Sequence, residues 1–304
     1  MTLVQFEQLG VLSPCVGDGS EEMELTESYK NPEIVSENLM HKYKFMEVRQ
    51  AAAVLSASCP AEWRALCDYL SDFVLATDHL MQPGGNKSEV VKAWENFFYG
   101  DGWVETRVDT EQIVYKIPRV GKGGVPAAIG ALTTEQRLKL QEKFPQIGIE
   151  ATYQQGYLVD ALRGRLAVDI EWNAKDGNLD RDIAAYRAWY DLGLIDGAVL
   201  ITKEQESCRQ LVQSVWKTYL ESLDQESFDR LKKVADGEIP PPVDLKTTTS
   251  TCLEKAGERI KRGDAGGCPV LIVGITSKCW DGAYYQPEDF DELVEDIKKR
   301  AKKK

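Results

Sequence analysis

Asp160, Asp169 and Glu171 are the residues whose type and spacing could do chemistry. Two short apolar runs, 157–162 and 166–172, flank Arg163-Gly164-Arg165, and Gly164 at the first central position is what a two-residue type II′ hairpin turn requires. That turn fixes the register and sets Asp160 opposite Asp169. Directly opposed side chains have Cβ atoms about 4.5 to 5.5 Å apart, where two like charges weaken a sheet unless something compensates. Glu171 shares the face of Asp169, while Val168, Ile170 and Trp172 point to the other, apolar face. Three carboxylates thus converge. An oxygen-only ligand set without His or Cys suits a hard ion, Mg²⁺ first, and metal-assisted phosphoryl transfer is commonly built on such a site. In a chain with 49 acidic residues the same spacing could also be the acidic solvent face of a half-buried hairpin. A paired-carboxylate glycosidase fits less well, since a third acid two residues on suits an ion better than an acid and nucleophile pair.

The surrounding chain must position these groups. At 304 residues, 43% hydrophobic and 28% charged, it can bury a sizeable core as one large or two modest domains. No apolar run reaches the roughly 18 to 20 residues of a membrane span, and no signal peptide is evident, so a cytoplasmic protein is expected. The seven cysteines are scattered, without a C-x-x-C pair, and read as reduced core residues. With only His41 and His79, zinc hydrolase or Ser-His-Asp chemistry has little to stand on. The net charge of −12 argues by itself against a nucleic-acid partner, but residues 1–40 hold eight acids against Lys30 alone, so a basic groove elsewhere stays open.

Residues 1–42 read as an acidic, loop-rich N-terminal arm and 43–304 as one domain with an insertion at about 118–150. From Tyr43 to Leu80 the spacing predicts helices, one through Phe45, Val48, Ala52 and Leu55 and a second opened by Pro60. Ser88 or Asn86 can cap a third, through Val90, Trp94 and Phe98. Residues 103–117 look like strands, and 156–202 read as strand, turn, strand, helix, strand, with Leu179, Ile183, Tyr186 and Tyr190 along one side of the helix. Further helices are expected at 205–235 and 250–261, an apolar strand at 269–274, and a last helix from Pro287 with its acids first and its lysines last, an order that suits the helix dipole without any DNA contact.

The order Asp160, then Asp169-x-Glu171, resembles the P-D…(D/E)-x-K signature of the restriction-endonuclease-like fold. The stretch Val168-Asp-Ile-Glu-Trp-Asn-Ala-Lys-Asp-Gly-Asn-Leu-Asp-Arg-Asp182 resembles more narrowly the BglII/BstYI group of type II restriction endonucleases, with BamHI-like enzymes more distant; Gly84 to Ser88, Gly102-Trp103-Val-Glu105 and Gly266 to Thr276 support the likeness. It implies an α/β restriction-endonuclease-like core, a central mixed β-sheet flanked by helices on both sides. It further implies Asp160 and Asp169 as ligands of one or two Mg²⁺ ions, with Glu171 as a further ligand or water-orienting base where many relatives have Lys. Asp169 stands where Glu is usual. The same likeness implies a homodimer that cuts double-stranded DNA at a palindrome, leaving 5′-phosphate and 3′-hydroxyl ends, with sites built around GATC and four-base 5′ overhangs in that group.

A competing register pairs Glu171 with Asn173 and takes Lys175 as the cation; in either register Lys175 is a candidate phosphate contact. Asn86, Lys87 and Ser88 are candidates for the DNA backbone or a helix N-terminus with its usual punctuation. Arg163 and Arg165 read more as a solvated turn than as DNA contacts. A repair or recombination nuclease on the same core, and a non-catalytic acidic binding protein, remain alternatives.

Overall fold

Three runs in the sequence are apolar almost without interruption: 166–170, 197–201 and 270–275. Unbroken runs of this kind belong to strands covered on both faces. In the computed structural model, which describes residues 23–82, 88–98, 101–116, 132–143, 148–235, 237–243, 245 and 250–301, they are the middle of a six-stranded sheet. In chain order its strands are β1 (Tyr43–Val48), β2 (Val104–Arg107), β5 (Leu158–Arg163), β6 (Leu166–Glu171), β7 (Gly197–Lys203) and β8 (Val270–Ile275), and across the sheet they run β1-β8-β7-β6-β5-β2. β6, β7 and β8 are parallel; β1 on β8 and β5 on β6 are antiparallel.

Helices cover both faces. On one side Val168, Ile170, Val199, Ile201, Leu271 and Val273 share a core with Leu55 of α2 (Ala51–Ser58), Trp63 and Leu66 of α3 (Pro60–Asp72), Trp94 of α5 (Glu89–Phe98) and Trp216 of α8 (Gln205–Ser222). On the other lie the buried Leu179, Ile183 and Tyr186 of α7 (Asp176–Asp191) and Ala256 and Ile260 of α10 (Leu253–Lys261). The remaining helices of the body are α1 (Glu37–Lys42), α4 (Thr77–Met81), α9 (Gln225–Ala235) and α11 (Phe290–Ala301). In α11 Lys298 and Lys299 pair with Glu295 and Asp296 of their own helix.

Residues 107–158 form a separate compact unit. It contains the antiparallel pair β3 (Thr110–Lys116) and β4 (Gly148–Gln154) and the helix α6 (Thr134–Lys143).

Two elements differ from the sequence reading. Tyr43–Val48 is a strand, not the start of a helix: Tyr43 and Phe45 are buried with Lys44 exposed between them, and pairing from Tyr43↔Ile275 to Val48↔Val270 outweighs the helical spacing. From Met23 onward the acidic arm also holds ordered structure. Thr26 bridges Glu47, Ser36 caps α1 through the Leu39 N–H, and Val35 and Leu39 are buried. Its first 22 residues, with Cys15, lie outside the described ones. The six described cysteines are free thiols.

Candidate active site

The turn between β5 and β6 places the acids. Gly164 has φ +55 while Arg165 keeps a negative φ, the combination of a type II′ turn, and the pairs Arg163↔Leu166, Leu162↔Ala167 and Ala161↔Val168 are those derived from the sequence. One step further, Asp160 and Asp169 interlock. The Asp160 N–H donates to Asp169 Oδ1 at 2.8 Å, and the Ile170 N–H donates to Asp160 Oδ2 at 2.9 Å. The two guanidinium groups at the turn are occupied, Arg163 by Asp101 and Arg165 by Asp196, as befits a solvated turn.

The acidic face of β6 is not open to solvent. Asp169 is 3% exposed beneath α7, where the Tyr186 hydroxyl donates to its Oδ2 at 2.6 Å. α7 brings a fourth acid, Asp182, which is 2% exposed and one turn before Tyr186. Burial among like charges disfavours ionisation throughout. Burial, then Asp182, Glu95 and Glu105, pushes the Asp160 carboxyl up to about 6, against the Ile170 N–H, which favours its charged form. Burial and then Asp160 and Asp182 hold Asp169 well above the carboxylate range, and burial followed by Asp182, Asp160 and Asp169 pushes Glu171 up to about 9. Asp182 is raised by burial, with Arg181 opposing.

The donor set fits a hard divalent cation. It consists of carboxylate oxygens alone, mutually repelling, and the Asp182 Oδ2 is buried without a hydrogen-bond partner. It is not a ready-made cage. Among the described residues no three acidic, His or Cys side chains are arranged as a complete cation site, and both Asp169 oxygens are held by protein donors. Asp160, Asp169 and Glu171 are the acids that could hold such an ion.

Lys203 was not foreseen. It ends β7 fully buried, its ammonium donating to the Trp172 carbonyl just past Glu171 and lying 5.6 Å from the Trp172 ring centroid. Burial lowers it to about 8. Asp182 and Tyr186 were missed as well. Their signal was present, because Asp182 interrupts the apolar stripe Leu179, Ile183, Tyr186 of a helix, and a carboxylate in a core-facing stripe needs a partner. Glu95 on α5 and Glu105 on β2 reach Asp160 only through the fold.

Of the other sequence candidates, Lys175 is exposed at the N-cap position of α7, its backbone bridged to Ser250. Ser88 Oγ accepts the Val91 N–H and so caps α5. Asn86 and Lys87 lie outside the described residues.

A scan against protein-family models matches residues 43–275 to Restriction endonuclease BglII/BglIII. The chain belongs to the BglII restriction endonuclease family. It is therefore a sequence-specific DNA endonuclease, a type II site-specific deoxyribonuclease, and the acidic binding protein is set aside. A search of curated proteins finds no significant match. The mixed sheet with flanking helices is the restriction-endonuclease-like fold that this family implies. Among the described residues no helix is long and apolar enough to cross a membrane.

Proposed function

We propose that this BglII-family enzyme hydrolyses both strands of a palindromic DNA site with Mg²⁺ held by Asp160, Asp169 and Glu171, giving 5′-phosphate and 3′-hydroxyl ends. The observation that carries the reading is the interlocked pair of half-buried Asp160 and buried Asp169, with Glu171 on the same face of β6 as Asp169. One or two ions bound there would offset the carboxylate charge, polarise the scissile phosphate and acidify a water.

The protein's own part is positioning and proton handling. The Asp160 and Ile170 N–H groups and the Tyr186 hydroxyl fix the two aspartates in one orientation. Glu171 lacks the positive charge of a Lys at that position, so it orients the attacking water and takes its proton once a bound ion has restored its charge. Lys175 would meet a backbone phosphate, a reading supported by its exposure where α7 begins. Each chain supplies one such cluster and cuts one strand, so a two-fold homodimer matched to a palindrome serves both strands.

Purified protein incubated with plasmid DNA and Mg²⁺ is expected to give discrete bands, and sequencing the cut ends reads target, position and overhang together. Asp160→Ala and Glu171→Ala should abolish cutting and leave specific DNA binding largely intact. An Asp160→Ala protein cutting at the wild-type rate overturns the assignment.

A further inference from the structure

Asp182 presents a carboxylate whose surroundings leave it incomplete. It lies on the sheet-facing stripe of α7 with Leu179, Ile183 and Tyr186, all buried. The neighbouring Arg181 Nε reaches its Oδ1 at 3.2 Å, while Oδ2 is buried without a hydrogen-bond partner. Across the interior the Asp182 and Glu171 carboxyls come within hydrogen-bonding reach; with both ionised, as in holding a divalent ion, they offer only acceptors.

A second atom makes the same point independently. Thr202, the register partner of Glu171 on β7, is 1% exposed, and its hydroxyl oxygen also has no hydrogen-bond partner. Two orphaned oxygens thus belong to neighbours of Glu171, one on the helix whose carboxyl reaches it and one at its register position on the next strand. A buried polar atom without a partner is costly and rare in native folds, and an ion or its waters can complete it.

We propose that Asp182 is a fourth cation-binding carboxylate of this nuclease, reaching in from α7 beside Glu171 so that the divalent ion is held by a helix as well as by the hairpin. The proposal rests on the reading of Asp160, Asp169 and Glu171 as the cation site. It separates two uses of the charge on α7: Arg181 takes one oxygen of Asp182 toward solvent, and the ion takes the other.

The test is a calorimetric titration of Mg²⁺ alone into the full chain, without DNA, for wild type, Asp160→Asn, Asp182→Asn and Asp182→Glu. Thermal unfolding with and without Mg²⁺ is followed in parallel, since a bound ion stabilises the folded state. Asp182→Asn keeps the shape and gains an amide that can donate to Glu171, so the fold is retained; if it is not, Asp182→Ser takes its place under the same readings. Affinity for Mg²⁺ is expected to fall on the order of tenfold in Asp182→Asn, the scale of losing one group that holds an ion, with Asp182→Glu in between and the Mg²⁺-dependent rise in melting temperature reduced in step. If Asp160→Asn loses affinity and Asp182→Asn does not, the fourth carboxylate is refuted and the hairpin site stands. If both bind Mg²⁺ as wild type does, the underlying site reading fails with it.

Discussion

Tyr186 and Lys203 carry the energetics of the site at the level of single side chains. Tyr186 donates to a carboxylate oxygen that no other group among the described residues serves as donor, so Tyr186→Phe is expected to cost about 1 to 3 kcal/mol of stability in urea unfolding and to slow cutting more than it weakens DNA binding, because Asp169 then has one fewer constraint on its orientation. Lys203 titrates at about 8 in the folded protein against 10.5 for the free side chain. Below about 8 both states carry the charge and folding bears the full burial penalty; between the two values the unfolded chain binds more protons, so stability rises with pH across that window, by on the order of 3 kcal/mol. Replacing it by Met should flatten this rise, read as urea midpoints at pH 7.5 and 10. The three acids of the hairpin were legible in the sequence because a two-residue turn converts spacing directly into contact. Glu95 and Lys203 were not, since each is brought to the site by a crossover or a distant element whose placement no local spacing encodes; Asp182 left a signal in the apolar stripe of its helix but not its destination. Glu171 illustrates the boundary: its face was readable, its pairing with Asp182 was not.

Among the elements, the β5–β6 hairpin sets the geometry, and Gly164 sets the hairpin. With φ at +55 a side chain there is strained, and an added Cβ would lie 2.8 Å from Glu62 Oε1 on α3, the end of a side chain that can move. Gly164→Ala is therefore expected to cost about 1 kcal/mol while leaving the register, and so the Asp160 to Asp169 hydrogen bonds, in place; a loss of cutting far beyond the loss of stability would mean that the turn also governs the site directly. Elements defined by their own periodicity were readable in advance, among them α3 opened by Pro60, α5, α7 and the apolar strands β7 and β8. β1 was not. Tyr43, Phe45 and Val48 fit a helical stripe on paper, and only the free edge of β8, more than 200 residues away, makes the extended alternative favourable. The same long-range logic orders residues 23–42, whose glycines, prolines and acids suggest a loop until Glu47 and the Val35 and Leu39 pockets are in place.

For the molecule as a whole, a net charge of −12 must be reconciled with a polyanionic substrate. A scissile phosphate approaching this acid cluster meets the charge of Asp160, whose carboxyl at about 6 is ionised at neutral pH, in a partly desolvated setting, where a pair of unit charges at about 4 Å is worth roughly 1 kcal/mol at the dielectric of water and about 4 kcal/mol at the effective dielectric of a protein surface. Cation binding and DNA docking are therefore coupled, and the coupling has a sign that can be measured without any cutting. In EDTA, Asp160→Asn should bind a cognate duplex more tightly than wild type, by about tenfold for each 1.4 kcal/mol of repulsion removed, whereas Glu171→Gln should change little, because burial and its neighbours already hold that carboxyl protonated at neutral pH. Addition of Ca²⁺ should strengthen wild-type binding strongly and the neutralised variants far less. Fluorescence anisotropy at one fixed ionic strength decides the matter, because affinities for DNA at different salt concentrations cannot be compared. Equal affinities of wild type and Asp160→Asn in EDTA would place the phosphate away from this acid cluster, and the carboxylates would then have to act on the DNA from a greater distance than hydrolysis allows.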